Sequence, residues 1–245
     1  MRLDFSTLSF KKIGILAGIL ICILIIIISF IRHPKPVEYR VGWKETFSGE
    51  PGAIPDGWKL MGKPGTPKSD FSIVREGGNS FLHMDSHKGS SSLVTSLEGV
   101  DLRETPLLRW KWRAGKLPEG ADGRVKSRDD QAIAVYVGTG SMLSKKTISY
   151  RWDTVTPKGT AGKSVYGAGT IKDKWITLRN KQDAGSGWIT EERNCAEDFK
   201  KAWGFYPEKV YISISCNSQY TASSARADLA WIELVDVKDK EEKTR

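Results

Sequence analysis

The chain has 245 residues and a net charge of +9, from 38 lysines and arginines against 29 aspartates and glutamates, with three cysteines and three histidines. No CxxC, HExxH or Cys/His cluster occurs, which excludes the common zinc and redox motifs, and no metal or cofactor is expected. The positive charge favours anionic partners, but the basic residues are scattered rather than clustered. That pattern points to solubility and attraction to an anionic membrane surface, and no nucleic-acid partner is expected.

The first element in chain order is apolar. After a short N-terminal tail (1–12), residues 13–31 read IGILAGILICILIIIISFI, nineteen positions without a charge. About 20 apolar residues span a ~30 Å hydrocarbon core as a helix. Lys11 and Lys12 bracket one end and Arg32 the other, placed to reach the headgroups. A cleaved signal peptide would have a shorter apolar region ending in a small-x-small site, which the following SFIRHP lacks. Cys22 is a poor lipoprotein cleavage site, because bulky Ile21 precedes it and the apolar run continues. The stretch therefore reads as an uncleaved transmembrane anchor in a lipid bilayer. Basic residues flank it on both sides, so the positive-inside rule gives almost no orientation. Long C-terminal domains translocate largely regardless of charge, which favours a bacterial inner-membrane protein with a periplasmic domain.

Residues 1–33 hold four of the basic groups and one acidic group, leaving the remainder near +6. Residues 32–42, with prolines at 34 and 36, read as a linker, and 43–237 as one globular domain. Residues 238–245 (KDKEEKTR) read as a charged tail. Within the domain, 71–75, 80–84 and 91–95 are short β-rich runs separated by GGN and KGS turns. LLRWKWRA (107–114) alternates strictly, with Leu108, Trp110, Trp112 and Ala114 on one face. QAIAVYV (131–137) is apolar throughout, as a strand covered on both faces would be. Further strands are expected at 147–152, 174–179, 209–216 and 227–237. One helix interrupts them: Asn194 is its cap, Glu197 a capping-box partner, Phe199 and Trp203 share a face, and Gly204 ends it. The pattern predicts an all-β, two-sheet sandwich of jelly-roll type with one short helix near 195–203.

Nine tryptophans occur, all outside the apolar stretch. Aromatic rings bury large areas and also offer platforms for the apolar faces of sugars. Trp110 and Trp112 suit the core, whereas Trp152 and Trp188 adjoin loops and are the better candidates for ligand binding. Asp130, Arg151 and Asn217 are the polar candidates beside them. Asp129 and Asp130 are adjacent on an extended chain and point to opposite faces, so they do not form an acid/base pair with each other. Ion pairing with Arg109, Arg113 or Arg151 is their expected role. His83 and His87 flank Asp85 in HMDSH, at a spacing that reads as a solvated turn rather than a metal site. Cys195 and Cys216 have the number, though not by spacing the proof, for one disulfide. GxSxG is absent, and the glycines near 138–140 and 167–169 read as turns.

Taken in order, LRWKWRAGKLPEGAD (108–122), RDDQAIAVYV (128–137), ISYRWDTVTPKG (148–159), GWITEERNCAEDFKKAWG (187–204) and SQYTASSARADLAWIEL (218–234) resemble the bacterial family of the domain of unknown function 3047. The resemblance covers about 43–237. It implies an envelope setting but transfers no catalytic residue. Members of that family are generally secreted or lipoprotein-like precursors, so the long apolar stretch here departs from the pattern. More loosely, FSGEPGAIPDGW (47–58) and DLRETPLLRWKWR (101–113) are similar to the opening of lectin and glucanase jelly rolls.

These observations lead to a membrane-anchored, non-catalytic binding module for an envelope polysaccharide. A hydrolase or lyase using Asp130 and a second acid, and a protein-docking domain, are the alternatives. If residues 13–31 span the bilayer uncleaved, the protein resists carbonate extraction and peptides from residues 1–12 persist in the mature form. A soluble product lacking them would overturn the anchor.

Overall fold

The alternation in 107–114 is realised physically. Leu108, Trp110, Trp112 and Ala114 are buried, while Arg109, Lys111 and Arg113 on the opposite face stay half-exposed. This strand is one of thirteen in the computed structural model, which describes residues 37–141 and 143–238. In chain order they are β1 (Tyr39–Glu45), β2 (Lys59–Gly62), β3 (Asp70–Glu76), β4 (Asn79–His87), β5 (Ser90–Leu97), β6 (Leu107–Lys116) and β7 (Gln131–Ser141). There follow β8 (Ser144–Trp152), β9 (Ala161–Tyr166), β10 (Ile171–Arg179), β11 (Ile189–Asn194), a helix α1 (Cys195–Trp203), β12 (Val210–Asn217) and β13 (Ser224–Val237).

The strands form two sheets. One runs β11-β6-β13-β4-β3, and β1 joins it on β13, pairing residues 232–237 where β4 has released that edge after 229. The other runs β2-β5-β12-β7-β8-β10-β9, with β8 and β10 parallel and its other pairs antiparallel. Among the described residues the architecture is an all-β two-sheet sandwich with one α-helix, consistent with a jelly roll.

Four rings join the sheets. Trp110 stacks on Tyr150 of β8 at 5.2 Å between centroids, and Trp112 meets Trp152 of β8 edge-on at 5.5 Å. Trp110 and Trp112 touch each other edge-on at 5.3 Å. Such contacts contribute roughly 0.5–1.5 kcal/mol each beyond the area they bury. The indole N–H of Trp112 donates to Glu191 and that of Trp152 to the carbonyl of Asn180, so two of the three indoles in this cluster have partners.

Local chemistry explains the connections. Gly77 and Gly78, at φ +56° and +80°, form the two-residue turn between paired Glu76 and Asn79, a conformation that a β-carbon would strain. Asn194 caps α1 by accepting from the Glu197 N–H, and Gly204 ends it in the left-handed region. The Glu197 carboxylate, expected to reach back to the cap, accepts from the Tyr206 hydroxyl instead. Cys195, Ala196 and Phe199 face the core.

Two expectations are revised, and one open question is answered. Strand β1 starts at Tyr39, inside the segment read as a linker, because its edge is needed to complete β13. HMDSH lies on β4 rather than in a turn, where His83 pairs with Asp228 at 2.6 Å and His87 bonds Ser224. Cys195 and Cys216 are both free and buried. The anchor expected at 13–31, the tail expected at 1–12 and residues 239–245 lie outside the described residues. Among those described, no helix is long and apolar enough to cross a membrane.

The ring packing sets out a stability order. Trp110→Ala and Trp152→Ala should each cost about 3–5 kcal/mol, as large-to-small core changes do. Trp188→Ala, at a half-buried position, should cost under about 1 kcal/mol. Urea unfolding of the full-length chain in non-ionic detergent reads the difference, and equal losses would refute it.

Candidate functional site

The outer face of the seven-stranded sheet carries a groove of about 620 Å³. Its floor follows from period two along β12: Ile212, Ile214 and Cys216 point into the core, leaving Tyr211, Ser213, Ser215 and Asn217 outward. Cross-strand partners extend the polar row, with Tyr136 opposite Ser213, Ser92 opposite Ser215 and Ser90 opposite Asn217. Four tyrosines line the groove: Tyr136 of β7, Tyr166 of β9, Tyr211 of β12 and Tyr220 of the β12–β13 loop. Tyr136, Tyr166 and Tyr211 are half-buried and Tyr220 is exposed. Tyr211 lies against Gly138, where a β-carbon would come within 2.3 Å of its ring. Trp175 lies against Gly162 in the same way, at 2.1 Å. Glycine opposite a ring is what allows each to lie close to the sheet.

Beneath the groove is a buried polar network. The Arg151 guanidinium donates to Asp129 Oδ1 at 2.6 Å and to Gln131 Oε1 at 3.0 Å, and Trp175 covers it at 5.0 Å. Asp129 Oδ2 accepts from the hydroxyls of Ser164 and Tyr166, at 2.8 and 2.7 Å. Asp153 lies 3.2 Å from Arg151 Nε, close enough for charge attraction but not aligned as a hydrogen bond. Asp173 accepts from Thr147 and Ser149, one oxygen each, at 2.6 and 2.7 Å. Burial pushes its carboxyl up to about 6, opposed by those two hydroxyls and by Arg151, while the Asp129 charge adds to the rise.

The sequence-predicted site residues do not converge. Asn217 lines the groove, where its side chain accepts from Ser90. Arg151 is fully buried below it and acts on Asp129 rather than on solvent. Asp130 is also fully buried; its Oδ2 accepts from the Thr221 N–H and hydroxyl at 2.7 and 2.9 Å, which fixes the loop that carries Tyr220. Trp152 belongs to the core and offers no exposed platform, because position 152 alternates inward with Tyr150. Trp188 lies on the other sheet, half-buried against Phe81 and Arg113, in a separate cleft of about 680 Å³. The polar groups of that cleft largely satisfy each other, through Arg113 with Glu76 and Asp228. Sequence reasoning missed the tyrosines. The signal available was an outward tyrosine with serines at alternate positions in YISIS (211–215). Among the described residues, no group of three histidine, cysteine or acidic side chains could hold a metal ion.

The model of the family described as "Protein of unknown function (DUF3047)" matches residues 56–233. No curated protein matches the chain in sequence. Several solved structures align with it over most of its length. A family 11 carbohydrate-binding module from Clostridium thermocellum, in complex with a β-1,3-1,4-mixed-linked tetrasaccharide, aligns at TM-score 0.45 and 11% identity, over 84% of this chain and 99% of that one. A family 12 xyloglucanase from Bacillus licheniformis aligns at 0.41 and 11%, over 82% and 100%. The CBM22-1 xylan-binding domain from Paenibacillus barcinonensis aligns at 0.37 and 11%, over 83% and 99%. At this degree of likeness none of them bears on what this chain binds.

The buried Asp173 makes stability depend on pH. Its folded value, about 6, lies above the unfolded 3.8, so the folded state holds the proton more tightly. The stabilisation is complete below pH ~4 and is lost as pH rises through 6, a change of roughly 2–3 kcal/mol. Asp173→Asn, which cannot ionise, should remove this slope. Urea midpoints of the two proteins at pH 4.5 and 7.5 test it, and parallel pH profiles would show that Asp173 does not titrate in this range.

Proposed function

This chain belongs to the DUF3047 family of proteins of unknown function, and from that starting point we propose that its sandwich is a glycan-binding module held at a membrane by residues 13–31. The observation that carries the reading is the groove, in which four tyrosines stand over a floor of serines and Asn217. Sugars have two kinds of surface, apolar C–H faces and hydroxyl edges. Aromatic rings stack on the first, and serine, tyrosine and amide groups exchange hydrogen bonds with the second. No hydrogen bond occupies the hydroxyls of Tyr211 and Tyr220 among the described residues, so both are available to a ligand. A mostly preformed concave site with a few placed polar groups is what small polar ligands require.

The non-catalytic reading rests on the carboxylates. Among the described residues, Asp129 is the only acidic residue lining the groove, and both of its oxygens are committed to Arg151, Ser164 and Tyr166. Two-carboxylate glycoside hydrolysis needs a second acid about 5–9.5 Å away with access to the scissile bond. Hydrolysis draws support from Asp173, whose raised carboxyl would suit a general acid. That residue is buried, however, with both oxygens already accepting hydroxyls. In the proposed arrangement the anchor lies in a bacterial inner membrane and the groove faces the periplasm, where envelope polysaccharide is the available ligand.

Affinity electrophoresis of the full-length chain in detergent against a panel of polysaccharides tests the binding reading. Tyr211→Ala and Tyr220→Ala should each weaken retention about tenfold, as loss of an aromatic anchor does, with thermal midpoints unchanged. Gly138→Ala should weaken it too, by displacing the Tyr211 ring. Retention on no glycan, or retention indifferent to all three changes, would overturn the proposal.

A further inference from the structure

Resting on the glycan-binding reading, a second feature of the groove narrows the class of glycan. Three lysines, Lys63, Lys126 and Lys145, line it. None is in an ion pair among the described residues. Lys63 lies 5.9 Å over the Tyr220 ring and Lys145 lies 5.6 Å over the Tyr211 ring, so two of the three sit beside the rings offered as platforms. The acids cannot serve them, because the one carboxylate lining the groove, Asp129, is neutralised from below by Arg151. Asp153 and Asp173 are fully buried behind the floor, tied to Thr177 and to Thr147 and Ser149. A ligand in the groove therefore meets unpaired ammonium groups and no unpaired carboxylate. Elsewhere on the surface basic groups do find acids, as in Arg226 with Asp85, Lys158 with Asp183 and Lys44 with Glu233. Most other lysines among the described residues also lack an acid partner, so what distinguishes the groove is that three of them gather in one concave site beside two tyrosine rings.

We infer that the groove takes an acidic glycan, a chain whose sugars carry carboxylates that pair with Lys63, Lys126 and Lys145 while their rings stack on Tyr211 and Tyr220. The Nζ atoms of Lys63 and Lys145 lie near the rings on flexible stems, which lets each ammonium turn towards a carboxylate on a stacked sugar. Neutral glucans leave all three ammonium groups without a partner.

The test uses the full-length chain in non-ionic detergent with two probes, polygalacturonate and a neutral mixed-linked β-glucan, at low and high salt. The expected result is binding to polygalacturonate about tenfold tighter than to the glucan at low salt, with the advantage lost at high salt. A triple variant, Lys63→Gln/Lys126→Gln/Lys145→Gln, should lose that tenfold preference while its thermal midpoint stays unchanged. A separate variant with three lysines outside the groove replaced, Lys88→Gln/Lys201→Gln/Lys209→Gln, should keep the preference. Equal loss in both variants would mean attraction to the overall positive charge and would overturn the inference. Equal affinity of the wild type for both probes would overturn it while leaving glycan binding intact. Binding to neither probe, nor to any other glycan, would overturn glycan binding itself.

Discussion

The contact between β6 and β8 through Trp110, Tyr150, Trp112 and Trp152 governs more than the core. Because strand side chains alternate, fixing Tyr150 and Trp152 inward forces Thr147, Ser149 and Arg151 onto the opposite face. Those are the residues that support the groove. A slip of one residue in β8 would put Arg151 into an apolar core and expose two large rings, so register here is specified on both faces at once. The inter-sheet packing and the surface site are two sides of one strand.

The floor of the groove is stiff for a related reason. Arg151 is a fully buried cation whose charge must be met, and Asp129 and Asp153 meet it from two directions. Breaking such a pair by removing one partner costs about 3–5 kcal/mol, since an uncompensated charge is left behind. Asp129 in turn holds Ser164 and Tyr166 of β9, an edge strand with few other constraints. Asp130, its neighbour, holds the loop bearing Tyr220. Adjacent carboxylates pointing to opposite sides thus tie down the two outer walls of the groove, and a preformed wall spares a ligand the entropy of ordering it.

Much of the sandwich was legible because its central strands carry strong patterns. LLRWKWRA and QAIAVYV announce themselves by alternation and by unbroken apolarity, and both lie in the interior of their sheets. The strands that escaped, β1, β2, β9 and β11, are short or lie at sheet edges, where half the side chains are solvated and propensity is weak. The helix was readable from Asn194 and Gly204, since caps are local chemistry. The site was mostly hidden for the opposite reason. Proximity to a loop in sequence suggested that Trp152 was exposed, but exposure is decided by which sheet lies opposite. Tyr136, Tyr166, Tyr211 and Tyr220 come together only when four segments of the chain are brought onto one face. Of the four, only Tyr211 carries a local mark, the alternating serines of YISIS (211–215).

Strand β13 has a bearing on how the domain comes into being. It lies between β6 on one side and β4 and β1 on the other, so the six-stranded sheet cannot close until residues 224–237 are available. Strand β1, nearly two hundred residues earlier, has no partner in the sheet until then. Pairing across such a separation carries a large loop-closure cost, which slows folding and leaves edges open in the meantime. A growing chain would therefore emerge with its first strand and its half-built sheet unprotected, and would depend on a chaperone or on quick completion of its C-terminus. A premature stop anywhere before residue 224 would remove the shared partner of three strands and so leave the whole sandwich unable to assemble, however complete the segments already made.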